Sequence, residues 1–263
     1  MVSCCALKTV TLEYCHELIC LTIAQPQLLT LVVINCNSLI SVCIKADALE
    51  YLEYMGHKVI IEYEYAPFLH LLRVCYMEKN GCPLDFISAL PKLPKLEGLI
   101  LRCPAPVQVA RALQNIFRFA NLKTIVFFLV RSWKGSICSL AYLLKETPLL
   151  EYFWLHGFGK LKEPSELNMT WPEDLTFARL HNITIKGFSG ESELMELLYF
   201  MLTRAPVLET LELETPVLEK LEAWFVRKKK HKLQDEERCR YAREMALTHL
   251  APKVPSTVAF SIT

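Results

Sequence analysis

Between Leu7 and Tyr65 the sequence repeats itself every 21 residues, and that stride constrains the fold more than any other feature. Leu7, Leu28 and Leu49 open equivalent segments. Val10, Leu31 and Leu52 follow three residues later, and Leu12, Val33 and Tyr54 two residues after that. A half-repeat falls at Leu18, Leu39 and Ile60, and Cys15 and Cys36 share a further slot that His57 takes in the third unit. Alternate residues of a strand point to one side, so this apolar set reads as a corner followed by a short strand. A unit this small cannot bury its apolar side alone and must stack on the next.

A fixed period of about 20–29 residues around an L-x-x-L-x-L core is the signature of leucine-rich repeats. The expected fold is therefore α/β: a leucine-rich-repeat solenoid, a ribonuclease-inhibitor-like arc with a curved parallel sheet. Residues 1–82 form its short repeats, in which both halves read as strands: TVTL, ICLTI, LTLVVI, ISVCI, EYLEY and VIIEYEY, then one more at Leu69–Met77. In residues 83–216 the repeats lengthen. Strand starts are expected at Leu96, Leu122, Leu150, Leu180 and Leu208, at intervals of 26, 28, 30 and 28 residues. Apolar stripes predict helices over Val107–Phe119, Ile137–Lys145 and Glu193–Thr203, the last capped by Ser189 or Ser192. Glycines and prolines make 158–178 an irregular excursion. Residues 217–263 read as a charged capping helix, ended by Pro252 and Pro255, and a closing strand at Val258–Ile262. No cap precedes Leu7, so the first coil is expected to be bare, as in a fragment of a longer design.

Composition narrows the function classes. The 263 residues carry a formal charge of +1, which gives no global field for nucleic acid or anionic lipid. Eleven cysteines are an odd number scattered over a long chain, and are read as thiols in a reducing compartment, the cytoplasm or nucleus. The opening MVSCCALKTV lacks the basic and apolar regions of a signal peptide. The apolar runs fall short of the roughly 20 residues of a membrane helix. Cys75 and Cys82 lack the spacing of a zinc site, so no metal or cofactor is expected. Phosphate-loop, nucleophile-elbow and metalloprotease motifs are missing, so no enzyme is expected. The run Arg227–Lys232 reads as a solvated helix face, with acids following it. Asn168 and Asn182 form glycosylation sequons that a cytosolic chain would not use, and Asn182 falls in an expected strand.

The unit LHNITIKGFSGESELMELLYFMLTRAPVLETLEL (Leu180–Leu213) resembles the late repeat block of plant F-box proteins of the F-box/LRR and FBD type. The shared features are a strand with a GFSG turn, an amphipathic helix, and an A-P-V-L-E-x-L-x-L return into the next strand. Tyr241–Ile262 is similar to that family's terminal helix and strand, and the early repeats are similar to its front repeats. The resemblance implies the target-recognition arm of a ubiquitin ligase. A Skp-type adaptor would be a partner only through an F-box, and no such segment precedes Leu7.

Residues between the inward-pointing leucines are expected on the concave side. They form a ladder: Thr9, Thr11, Glu13; Thr30, Val32; Tyr51, Glu53; Leu71, Arg73; Ile100, Arg102; Thr124, Val126, Phe128; Tyr152, Trp154, His156; Thr184, Lys186; Thr210, Glu212, Glu214. Phe128, Tyr152, Trp154 and His156 would cluster on neighbouring strands, with Arg102 and Arg73 beside them. Tyrosine and tryptophan anchor binding hot spots more often than other residues, so this set is the expected contact for a protein target. The competing reading is that the Gly157–Trp171 excursion folds back and covers it. Two rival functions stand beside protein binding. One is a small-molecule sensor using Arg73, Arg102 and Lys186. The other is a truncated, non-functional gene product.

Overall fold

The computed structural model describes residues 6–77, 93–103, 119–129, 140, 144–157, 175–216 and 232–263. Seven short strands come first: β1 (Thr9–Glu13), β2 (Cys20–Ala24), β3 (Thr30–Ile34), β4 (Ser41–Lys45), β5 (Tyr51–Gly56), β6 (Ile60–Tyr65) and β7 (Leu71–Tyr76). Then follow β8 (Gly98–Cys103), β9 (Thr124–Leu129), β10 (Tyr152–Gly157), β11 (Asn182–Lys186), β12 (Thr210–Glu214) and β13 (Ala259–Ile262). Helix α1 (Ser192–Arg204) joins β11 to β12, and α2 (Lys232–Met245) precedes β13. Ten strands form one parallel sheet in the order β1-β3-β5-β7-β8-β9-β10-β11-β12-β13, and β2-β4-β6 form a second. The register is nearly unbroken: Thr9, Thr30, Tyr51, Leu71, Gly98, Thr124, Tyr152, Asn182, Thr210 and Ala259 lie side by side across the large sheet. This is the expected α/β solenoid, with β/β coils first and a β/α coil later.

The repeating leucine sits in a corner rather than in a strand. The amides of Leu28, Leu49 and Leu69 donate to the carbonyls of Gln25, Ala46 and Ala66, each at 3.3 Å. Leu96, Leu122, Leu150, Leu180 and Leu208 close the same three-residue turn in the later coils. The strands therefore begin two residues after the expected leucines, at Gly98, Thr124, Tyr152, Asn182 and Thr210. Each corner leucine has its amide satisfied by the turn and its side chain buried in the coil, which explains why that slot keeps leucine. The core runs continuously through Leu31, Val33, Leu52, Tyr54, Leu72, Leu101, Phe127, Phe153, Ile183 and Leu211. In the front coils it lies between the two sheets, with Val42, Ile44 and Tyr63 contributed by the small one. The first coil is less covered: Val10, Leu12, Leu18 and Leu21 are only partly buried, whereas their counterparts Leu31, Val33, Leu39 and Val42 are buried.

Two expectations need correcting. Neither Ser189 nor Ser192 caps α1: the capping position is Glu191, it makes no side-chain cap bond, and Ser192 is the first helical residue. Val126 and Thr184, placed on the exposed ladder, are buried. Both are short side chains that flank Trp154 in register, and the taller ring shields them. The expected helix Val107–Phe119 (apart from its last residue), excursion residues 158–174, and the basic run before Lys232 lie outside the described residues. Of Ile137–Lys145, Leu140 and Leu144 are helical and buried.

Candidate functional site

The side of the large sheet turned away from the core carries three parallel rows of side chains, one residue per strand and about 4.8 Å between neighbours. Around β10 the rows are led by Tyr152, Trp154 and His156, which share one side because they alternate along the strand. Tyr152 is 42% and Trp154 44% exposed, unusual for rings of that size in the middle of a sheet. The neighbours of Trp154 in its row are Val126 and Thr184. Neither is long enough to cover the indole, so the ring stands above the sheet.

The third row crosses β8 to β11 as Arg102, Phe128, His156 and Lys186. The Phe128 and His156 rings touch, with centroids 5.3 Å apart and planes inclined at 50°. Burial lowers the His156 pKa below its usual value, Lys186 pushes it further the same way, and Glu214 opposes them. His156 is therefore neutral at physiological pH and adds an uncharged ring to the aromatic cluster. Lys186 Nζ lies 5.9 Å from the Trp154 ring centroid, within cation–π range, and 2.9 Å from the Glu214 carboxylate. That pair is partly exposed, so it contributes little stability. Its larger effect is to fix one flank of the indole. On the other flank, Arg102 Nη1 reaches Met77 Sδ at 3.6 Å.

The structure thus gathers Phe128, Tyr152, Trp154 and His156 as the sequence suggests, with Arg102 in the same row. Arg73 belongs elsewhere. It sits in the Trp154 row on β7 but turns to Glu53, 3.3 Å away. Glu53 also accepts a 2.6 Å hydrogen bond from the Tyr51 hydroxyl. Burial, followed by the bond to Glu53, pushes the Tyr51 phenol up to about 12, so it remains a donor. Lys186 and Glu214 were visible as ladder positions, but their pairing beside Trp154 was not. The signal was the shared slot: both fall in register with His156.

The rival small-molecule reading gains nothing from this geometry, because Arg73 and Lys186 are each engaged by a carboxylate. A cleft of about 470 Å³ lies elsewhere, lined by Glu62, Tyr63, Glu64, Tyr65, Pro67 and Pro94. No cluster of three potential metal ligands forms among the described residues. No helix among them is long and apolar enough to cross a membrane.

A search of curated proteins finds no match. The family model described as At1g61320/AtMIF1, LRR domain, matches residues 1–263. With corner leucines, stacked parallel strands and a match along the whole chain, the protein belongs to this leucine-rich-repeat domain family.

Proposed function

We propose that the chain holds a protein target on the open face of its large sheet, as the target-recognition repeats of a plant F-box-type ubiquitin-ligase receptor. A leucine-rich-repeat domain is a protein-interaction module, and such families are typically non-enzymatic. The observation that carries the reading is the aromatic cluster at β9 and β10, exposed at Tyr152 and Trp154 and flanked by cations on β8 and β11. An exposed aromatic patch with a charged rim has the composition of a protein-binding hot spot. The ligase role is supported by the resemblance of Leu180–Leu213 and Tyr241–Ile262 to F-box/LRR and FBD proteins. The free thiols among the described residues suit a reducing site of action in cytoplasm or nucleus.

The test is the affinity for a partner recovered with the full chain, measured for Tyr152→Ala and Trp154→Ala. Hot-spot truncations cost about 2 kcal/mol or more, so binding should weaken at least ~30-fold with unchanged thermal stability. Unchanged affinity would reject the site. The ligase role is tested separately: a Skp-type adaptor should co-purify with a chain carrying an F-box and not with these repeats alone. Adaptor binding to the repeats themselves would contradict that part.

A further inference from the structure

Cys15 and Cys36 lie in adjacent coils that follow the same backbone path. Their strands end in register, with Glu13 beside Ile34. The residues before the cysteines, Tyr14 and Asn35, both take the left-handed conformation, at φ 55° and 52°. The residues three beyond the cysteines, Leu18 and Leu39, donate their amides back to the Cys15 and Cys36 carbonyls at 3.3 and 3.1 Å. Equivalent atoms of stacked coils are separated by one strand spacing, about 4.8 Å. That lies inside the roughly 4.4–6.8 Å that disulfides span between α-carbons.

Both sulfur atoms lie at the ends of the paired strands, Cys15 Sγ 3.6 Å from the Glu13 carbonyl. Cys36 Sγ lies 3.8 Å from the Leu12 carbonyl in the first coil and 3.6 Å from that of Ile34 in its own. The Cys15 amide and thiol both interact with the Cys36 thiol. The third coil carries His57 in this slot, so no thiol there competes. Accessibility is unequal: Cys36 is 1% exposed, while Cys15 is partly open to solvent.

We propose that Cys15 and Cys36 form an oxidation site, which a peroxide-class oxidant converts into a disulfide between the first two coils. The Cys15 thiol gives its proton to solvent, and the thiolate attacks the peroxide, breaking its O–O bond; the hydroxide released takes up that proton as water, leaving a sulfenic acid on Cys15. Cys36 sulfur then attacks that sulfur. The S–O bond breaks, and the departing hydroxide takes the Cys36 proton to leave as water. Two thiols are oxidised and one peroxide is reduced to two waters. Burial raises the Cys36 pKa, the Cys15 amide opposes it and the Cys15 thiol adds to the rise, which suits Cys36 to the resolving step rather than to first attack. The bridge ties the least buried coil of the described front end to a fully packed one.

The experiment treats the reduced full chain with hydrogen peroxide, alkylates remaining thiols after denaturation, and maps peptides without reduction. The expected product is a Cys15–Cys36 cross-linked peptide, lighter than the reduced pair by two hydrogens, with slower amide exchange in β1 and β2. In Cys36→Ser the cross-link is lost and a sulfenic acid on Cys15 is trapped by a cyclic dione. Exposed Cys20 is the internal control. Oxidised Cys20 with Cys15 and Cys36 both alkylated would overturn the proposal, as would a cross-link joining either of them to a different cysteine.

Discussion

Gly187 shows how a single residue fixes the spacing of the late coils. It takes φ 78°, and a Cβ there would lie 2.0 Å from the Gly157 carbonyl oxygen of the preceding coil. Both the left-handed turn and the close approach require glycine. Gly187→Ala should therefore destabilise by more than the roughly 1–3 kcal/mol of backbone strain alone, because the clashing atom is backbone and cannot rotate away. A large fall in melting temperature, or failure to fold, is the expected outcome. A shift of only a degree or two would show that the coils are not stacked this closely. The GFSG turn that carries the family resemblance was thus legible in sequence. What it does was not, since the partner atom lies thirty residues upstream in Gly157.

Among the elements, α1 couples a helix start to the C-terminal segment. Glu191 stands at its capping position without a side-chain cap bond, and burial pushes its carboxyl up to about 7, with Glu193 acting the same way and Ser189 and Arg238 opposing. A folded-state pKa above the unfolded value means the native state holds the proton more tightly. That contribution is fully present below the ordinary carboxylate range, near pH 4.5, and is lost as pH rises through about 7. Glu191→Gln should therefore flatten the decline in melting temperature between pH 5 and pH 8 and leave the variant the more stable chain at pH 8. An unchanged pH profile would contradict this. The middle of α1 is anchored on the C-terminal segment by the Tyr199 hydroxyl, which donates to the His249 carbonyl at 3.0 Å, and by Lys253 over the same ring at 3.7 Å. The apolar stripe of α1 could be read from the 3.6-residue period. The missing serine cap could not, because a capping serine must turn its hydroxyl back to the helix amides, and the packing of Gly190 against Met245 and Tyr241 sets the chain path there.

At the scale of the molecule, each coil touches mainly its neighbours, so stability should vary along the stack. Leu72→Ala, in a fully buried slot, should cost about 2–5 kcal/mol, whereas Leu12→Ala, in the partly buried first coil, should cost clearly less. Equal losses in denaturant melts would contradict a stack with a less protected first coil. The architecture was readable because the stride of the leucines is the stride of the coils. The site was readable in part. Alternation along β10 set Tyr152, Trp154 and His156 on one side, but alternation alone could not reveal that Glu53 takes Arg73 away from them, or that Val126 and Thr184 sink beside Trp154. Side-chain height and pairing across strands decide such things, and they exist only once the coils are stacked.

The proposed function requires that one side of the large sheet be the surface that meets a partner. The direct test places a photo-crosslinking amino acid at position 154 on that side, and in a second protein at Ile40, 60% exposed next to the small sheet. A partner bound to the full chain should cross-link from position 154 and not from position 40. Cross-linking from position 40 and none from position 154 would contradict the account.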